Sequence, residues 1–221
     1  MRFTWPDNYH IDPDSREFLR YFDESAGASV LEVGANQEHT ANVLADHGYR
    51  VLGVDLQRRH QMTPPEPNYL RLCGDFVKLA EMDVFPEFDA VYSTSAIEHF
   101  GLGTYGRHEW AVDPDYDCKA MHYLHRVLKP GGACYVTVPY GKEFLVSGID
   151  WRIYDYRNLH ERIVQAFKVE VKEFFKSGEF LTMPSFETVD GVELVREDFA
   201  NLNTGNPHLA VFLKLRKGKL E

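Results

Sequence analysis

The sequence predicts an α/β fold, a doubly wound and mostly parallel seven-stranded sheet with an antiparallel edge strand, on three observations. Short apolar runs alternate with helix-like segments from residue 29 to residue 139. Those runs are apolar on both faces, as strands covered by helices on both sides must be. Two later β-like runs, residues 169–174 and 209–215, are placed to pair antiparallel at one edge.

Ser29-Val30-Leu31-Glu32-Val33 reads as the first strand and ends at Gly34. A helix is expected from Gln37 to His47, with Ala41, Val43, Leu44 and Ala45 on its apolar face and Gly48 closing it. Arg50 to Asp55 is the second strand, Tyr69 to Leu72 the third and Phe88 to Ser93 the fourth. Cys118 to Leu128 reads as a helix, because Met121, Leu124, Val127 and Leu128 recur at three- and four-residue spacing. Lys129-Pro130-Gly131-Gly132 stops it, and Ala133 to Val138 is the fifth strand. A further helix is expected around Asn158 to Phe167, ahead of the two closing strands. Before all of these, Asp14-Ser15-Arg16-Glu17 looks like a helix start after Pro13, in an aromatic stretch holding Trp5, Tyr9, Phe18, Tyr21 and Phe22. One domain is expected over 1–221: a helical extension (1–25), a cofactor-binding core (29–139), and substrate-side segments with the last strands (140–221).

The totals narrow the function. With 221 residues and 44% hydrophobic content the chain can bury one sizeable core. A formal net charge of -10 repels phosphate backbones, which points away from nucleic acid and toward a small-molecule partner. Cys73, Cys118 and Cys134 form no CxxC pair, so neither a disulfide scaffold nor structural zinc is expected. No apolar run approaches a membrane span and the first residues lack a signal core, so a soluble, cytoplasmic protein is expected. Oligomeric state is not legible.

Ligands of open parallel sheets bind beyond the carboxyl ends of the strands. Gly34 follows the first strand, Asp55 ends the second, and Asp75-Phe76 follow the third. A carboxylate at Asp55 suits two ribose hydroxyls, and Asp75 with the Phe76 backbone N–H suits an adenine edge. The bland reading of each is a turn glycine and a helix cap. Together they make a coherent adenosine site.

Val30-Leu31-Glu32-Val33-Gly34, Gly53-Val54-Asp55, Gly74-Asp75, Phe88 to Ser93 and Leu128-Lys129-Pro130-Gly131-Gly132 resemble the successive motifs of class I S-adenosylmethionine-dependent methyltransferases, which have a Rossmann-like fold. The resemblance implies S-adenosylmethionine as cofactor. It implies Glu32 at the methionine amino group, Asp55 at the ribose, and Gly34, Asn36, Asp75, Phe76 and Ser93 lining the same site. One departure stands out. The glycine loop reads Glu32-Val33-Gly34-Ala35-Asn36-Gln37-Glu38, keeping the first glycine alone. Asn36 tolerates the left-handed conformation of the second. Glu38 would repel a dinucleotide pyrophosphate, which argues against an NAD-dependent oxidoreductase.

Methyl transfer to a hydroxyl needs positioning and a base. His99 after the fourth strand is the candidate base, with Glu98 to orient it or bind the acceptor; capping and packing of the next helix is the bland alternative. His108 and Glu109 are weaker candidates. Ile97-Glu98-His99-Phe100-Gly101-Leu102-Gly103-Thr104-Tyr105-Gly106 and Arg152-Ile153-Tyr154 resemble little-characterised bacterial methyltransferase-like proteins, some encoded near surface-polysaccharide genes. That resemblance implies a sugar or nucleotide-sugar acceptor, with Tyr105, Arg107, Arg152 and Tyr154 on its side of the cleft.

Two apparent metal motifs fail. Asp113-x-Asp115-x-Asp117 has Cys118 where a calcium loop needs glycine and Leu124 where it needs glutamate. His122 and His125 share a helix face without a third ligand. No metal is expected. The Asp/Asn-Pro-Pro-aromatic run of amino-group nucleic-acid methylation is also absent after the fourth strand. The competing class is a binding or regulatory protein that kept the fold without turnover.

Overall fold

The strands form where the apolar runs fall. The structure, a computed structural model, describes residues 3–35, 39–57, 68–103, 113–141, 144–147, 151–176, 188–189 and 209–218. Strands β1 (Ser29–Val33), β2 (Arg50–Asp55), β3 (Tyr69–Cys73), β4 (Phe88–Thr94) and β5 (Leu128–Pro139) pair in parallel in the order β3-β2-β1-β4-β5. β6 (Leu145–Ser147) and β7 (Trp151–Ile153) make a separate antiparallel pair. β8 (Lys168–Lys176), β9 (Thr188–Val189) and β10 (Leu209–Arg216) complete the main sheet. β10 runs antiparallel between β5 and β8, and the two-residue β9 pairs antiparallel outside β8, one strand beyond the expected set.

Helices cover both faces. On one lie α1 (Pro13–Tyr21) and α2 (Thr40–Asp46), packing Phe18, Leu19, Val43 and Leu44 onto Val30, Val51, Tyr92 and Tyr135. On the other lie α3 (Phe76–Glu81), α4 (Tyr116–Arg126) and α5 (Tyr156–Asn158) with its continuation, a π-turn over Leu159–Val164. They bury Leu31, Val33, Val54, Val91 and Val136. No helix among the described residues is long and apolar enough to cross a membrane.

Two expected boundaries shift. The helix expected over 118–128 ends at Arg126, because the Phe88 N–H donates to the Val127 carbonyl at 2.8 Å and Leu128 already pairs with Phe88. Strand β5 therefore includes the Lys129-Pro130-Gly131-Gly132 run. The register jumps there from Phe88↔Leu128 to Ala90↔Ala133, with Gly131 at φ 78° absorbing the extra residues. The helix expected around 158–167 is the short α5 and its π-turn instead.

At the amino edge of the sheet, Asp89 ties three strands together. Its carboxylate accepts the Ser29 N–H at 2.8 Å, the Ser29 hydroxyl at 2.7 Å and the Lys129 ammonium at 2.6 Å. Although partial burial opposes it, this donor set holds the Asp89 carboxyl down at about 2.

The N-terminal helix is capped and anchored by its own sequence. Asp12 accepts the Ser15 N–H at 2.6 Å, Pro13 takes the first turn, and the fully buried Phe18 stacks on Tyr92 with centroids 4.3 Å apart. Phe18→Ala is expected to cost about 3–5 kcal/mol, as core aromatic truncations do, read as a lowered urea midpoint with an unchanged slope. A midpoint that does not move would mean that α1 contributes nothing to the core.

Candidate functional site

Between β1 and β4 the strand order turns, since β1 pairs with β2 on one side and β4 on the other. The helices that follow these strands, α2 and α4, lie on opposite faces, and open sheets take their ligands at such a point, beyond the carboxyl ends of the strands. Gly34 makes the turn out of β1 at φ 89°, and a Cβ there would lie 2.3 Å from the Cβ of Ala96. Only glycine lets the turns after β1 and β4 come this close.

Glu32, next to that turn, is 6% exposed. Register sets it beside Gly53 on β2 and Tyr92 on β4. A Cβ on Gly53 would fall 2.7 Å from the Tyr69 hydroxyl, so the missing side chain is what lets Tyr69 reach across β2. The Tyr69 hydroxyl donates to Glu32 Oε2 at 3.3 Å. Burial pushes the Glu32 carboxyl up to about 7, against the opposing pull of the neighbouring phenols and Arg71.

The other residues expected at the adenosine half sit as follows. Asp55 ends β2, and its Oδ1 accepts the Gln57 N–H at 2.6 Å. Asp75 caps α3: Oδ1 accepts the Val77 and Lys78 N–H groups, and Oδ2 accepts the Tyr116 hydroxyl at 2.7 Å. Phe76 turns its ring into the core, 5.7 Å from Phe85, leaving its backbone in the first turn of α3. Ser93 is fully buried and donates to the Val33 carbonyl at 2.9 Å, a strut between β4 and β1. Asn36, Tyr105 and Arg107 lie outside the described residues, as do Glu38, His108 and Glu109.

The N-terminal helix supplies a group that the sequence motifs do not announce. The Ser95 hydroxyl donates to Asp14 Oδ2, and the Thr137 hydroxyl donates to the same oxygen at 3.3 Å. Asp14 thereby sits over the carboxyl ends of β4 and β5, and Ser95 holds a left-handed φ of 45° beneath it. Desolvation, then repulsion from Asp12, pushes the Asp14 carboxyl up to about 7.

His99 and Glu98 occupy a single 3₁₀ turn, Ile97–His99, just beyond. The imidazole is 22% exposed, with Nε2 3.9 Å from Glu98 Oε1. Glu98 is 3% exposed, and its Oε2 has no hydrogen-bond partner. Burial pushes its carboxyl up to about 8. Arg152 and Tyr154, expected on the acceptor side, turn inward. Arg152 is 1% exposed and grips backbone carbonyls, and the buried Tyr154 hydroxyl donates to Asp117 at 2.8 Å. Asp117 in turn pairs with Arg162 at 2.5 Å, Asp113 with Lys119 at 2.6 Å, and the His125 ring packs on Phe167. No group of side chains among the described residues can hold a metal ion.

Glu32 and Glu98 hold protons more tightly folded than unfolded, so their contribution to stability is full below about pH 4.5 and is lost as pH rises through about 7 to 8. Every tenfold gain in a carboxyl's proton affinity on folding corresponds to ~1.4 kcal/mol. The ligand-free chain is therefore expected to lose thermal stability between about pH 5 and pH 8, and Glu98→Gln to flatten that decline. A melting-temperature profile that is flat in the wild type, or equally steep in Glu98→Gln, would contradict this assignment.

Known proteins share this architecture. The chain is 34% identical over 108 residues to the S-adenosyl-L-methionine-dependent Diels-Alderase iccD of Talaromyces variabilis, a match covering 48% of this chain and 35% of that protein. It thus spans about a third of that relative's length. The 1,6-didemethyltoxoflavin-N1-methyltransferase of Burkholderia thailandensis, solved with 1,6-didemethyltoxoflavin and S-adenosylhomocysteine bound, superposes with a TM-score of 0.58 at 16% identity, over 95% of this chain and 78% of that one. The [4+2]-cyclase SpnF superposes with a TM-score of 0.58 at 16% identity, over 93% and 80%. These two likenesses are of fold. Residues 30–168 match the family described as "Caenorhabditis protein of unknown function, DUF268". The chain belongs to that family, and its fold is that of the class I S-adenosylmethionine-dependent methyltransferases.

Proposed function

We propose that this chain is an S-adenosylmethionine-dependent methyltransferase acting on a small-molecule hydroxyl, on a sugar or nucleotide-sugar of surface-polysaccharide synthesis. The observation that carries the reading is Glu32: a buried carboxylate at the end of β1, beside a glycine turn, holding a raised proton affinity. A carboxyl whose proton affinity stays raised despite Arg71 gains from a further cation, and an α-ammonium group would supply one. Asp55, one strand over, supplies acceptors for ribose hydroxyls. The relative from Talaromyces variabilis, whose name states dependence on S-adenosylmethionine, supports the same cofactor.

When bound, that cofactor would supply an electrophilic methyl group. The protein's part is to orient the acceptor and take its proton. His99 is the group for the second task, partly exposed on the turn after β4. Glu98 carries its proton into the neutral range, so it serves beside the imidazole as a hydrogen-bond donor more than as a second anion. Tyr105 and Arg107 remain the proposed acceptor contacts. Arg152 acts behind the site through the backbone carbonyls it holds, and Tyr154 through its bond to Asp117.

A second reading has its own support: one relative is named a Diels-Alderase and one structural neighbour a [4+2]-cyclase. On that reading the same cofactor crevice shapes a substrate for ring closure, and no methyl group moves. Transfer of label from methyl-labelled S-adenosylmethionine to product separates the two.

Calorimetric titration is the first test. S-adenosylmethionine and S-adenosylhomocysteine are expected to bind with micromolar affinity, and Asp55→Ala to weaken both at least about tenfold, the effect of losing a charged hydrogen-bond acceptor. Absence of heat with either ligand would reject the cofactor assignment. With an acceptor in hand, His99→Ala is expected to lower kcat by about 10²–10⁴, the usual contribution of a general base; an unchanged kcat would remove His99 from that role.

A further inference from the structure

Arg152 sits at the centre of β7, sealed from solvent. Its guanidinium collects four backbone carbonyls. Nη1 donates to the Glu98 carbonyl at 3.2 Å and to the Phe100 carbonyl at 2.6 Å. Nη2 donates to the Pro114 carbonyl at 3.1 Å and, at the limit of hydrogen bonding, to the Asp113 carbonyl at 3.5 Å. The first two carbonyls flank His99 on either side. The other two belong to the segment that returns against Gly101, whose carbonyl accepts the Asp113 N–H at 3.0 Å. A Cβ on Gly101 would fall 2.2 Å from the Asp113 carbonyl oxygen, so the two backbones touch at this point.

We infer that Arg152 is a positioning residue for His99, fixing the turn that carries the imidazole by gripping the carbonyls on both sides of it. The planar fork of a guanidinium is suited to this, since it donates in several fixed directions at once, and a lysine ammonium in the same place does not reproduce them. The positive charge is settled elsewhere. Arg152 Nε lies 3.7 Å from Asp117 Oδ2, and Asp117, itself fully buried, also accepts from Arg162 Nε at 2.9 Å and from the Tyr154 hydroxyl at 2.8 Å. With its charge balanced by Asp117, Arg152 serves the turn as a rigid hydrogen-bond donor. The Glu98 carboxyl is left beside His99 with one oxygen unpartnered. The π-turn that carries Arg162 and the strand that carries Arg152 are thus tied to α4 through one carboxylate.

The functional meaning rests on the proposed role of His99, but the test reads the imidazole directly and needs neither cofactor nor acceptor. Ring ¹⁵N shifts of the histidines are followed against pH in the wild type and in Arg152→Lys, with His99→Gln for assignment and His125, whose ring packs on Phe167, as internal control. Arg152→Lys is expected to shift the His99 midpoint or change its tautomer ratio while His125 titrates as before. A folded Arg152→Lys protein whose His99 ring is indistinguishable from wild type overturns the inference. Breaking a buried ion pair costs about 3–5 kcal/mol, so a measurement on the unmodified protein accompanies the variant. There the Arg152 Nη–H signals are expected to be resolved, protected from exchange and close in space to the α-protons of His99 and Phe100. Rapidly exchanging Nη–H signals without those contacts also overturn it. If His99 responds as expected but the protein binds no S-adenosylmethionine, the positioning stands and the methyl-transfer reading falls.

Discussion

Where the strand order turns between β1 and β4, two neighbouring strands send their helices to opposite faces of the sheet, and ligands of such sheets bind outside the strand ends at that point. The polar side chains at the carboxyl ends of these strands gather around that point. Glu32 arrives from β1, Asp55 from β2, Ser95 from the turn after β4, and Thr137 from the end of β5. Glu32, Asp55 and Thr137 are held by sheet register, and Ser95 by a left-handed turn. The arrangement depends on two side chains being absent: Gly34 lets the turns after β1 and β4 meet, and Gly53 lets the Tyr69 hydroxyl cross to Glu32.

What collects at this edge is mostly acid. Asp12, Asp14, Glu32 and Glu98 all have carboxyls pushed upward by burial. Other acids of the protein are matched by cations: Asp89 with Lys129, Asp23 with Lys214, Glu170 with Arg216. A site with such electrostatics favours a ligand that brings positive charge and resists one that brings phosphate at the same point. The contrast between the two edges is sharp at β4, where Asp89 at one end is held at about 2 and Glu98 just past the other at about 8.

The strands were legible in the sequence because apolar runs of strand length, separated by glycine and proline, have few other uses in a chain of this size. The helix start at Pro13 was equally plain, since cap chemistry is local. Residues whose partners are distant were not legible. Asp14 reads as one more acid in a first turn, yet its partners Ser95 and Thr137 lie 81 and 123 positions away. Arg152 reads as an acceptor contact next to aromatics, and nothing nearby in the chain reveals that its charge is met by Asp117 and its donors by carbonyls 38 to 54 positions earlier. Asp75 shows the intermediate case. Its cap to α3 was readable from position, while the Tyr116 hydroxyl that occupies its second oxygen was not.

The bond from Ser95 to Asp14 also sets an order of events in folding. The segment that carries Asp14 precedes its partners, in the turn after β4 and on β5, by 81 and 123 positions. Contacts so distant in the chain form only after intervening loops have closed, which is slow relative to local helix formation. Until then Phe18 and Phe22 have no Tyr135 to pack on, and the arm remains an unattached amphipathic stretch. Asp14 therefore joins the other acids at the carboxyl edge only after α1 has docked on the sheet.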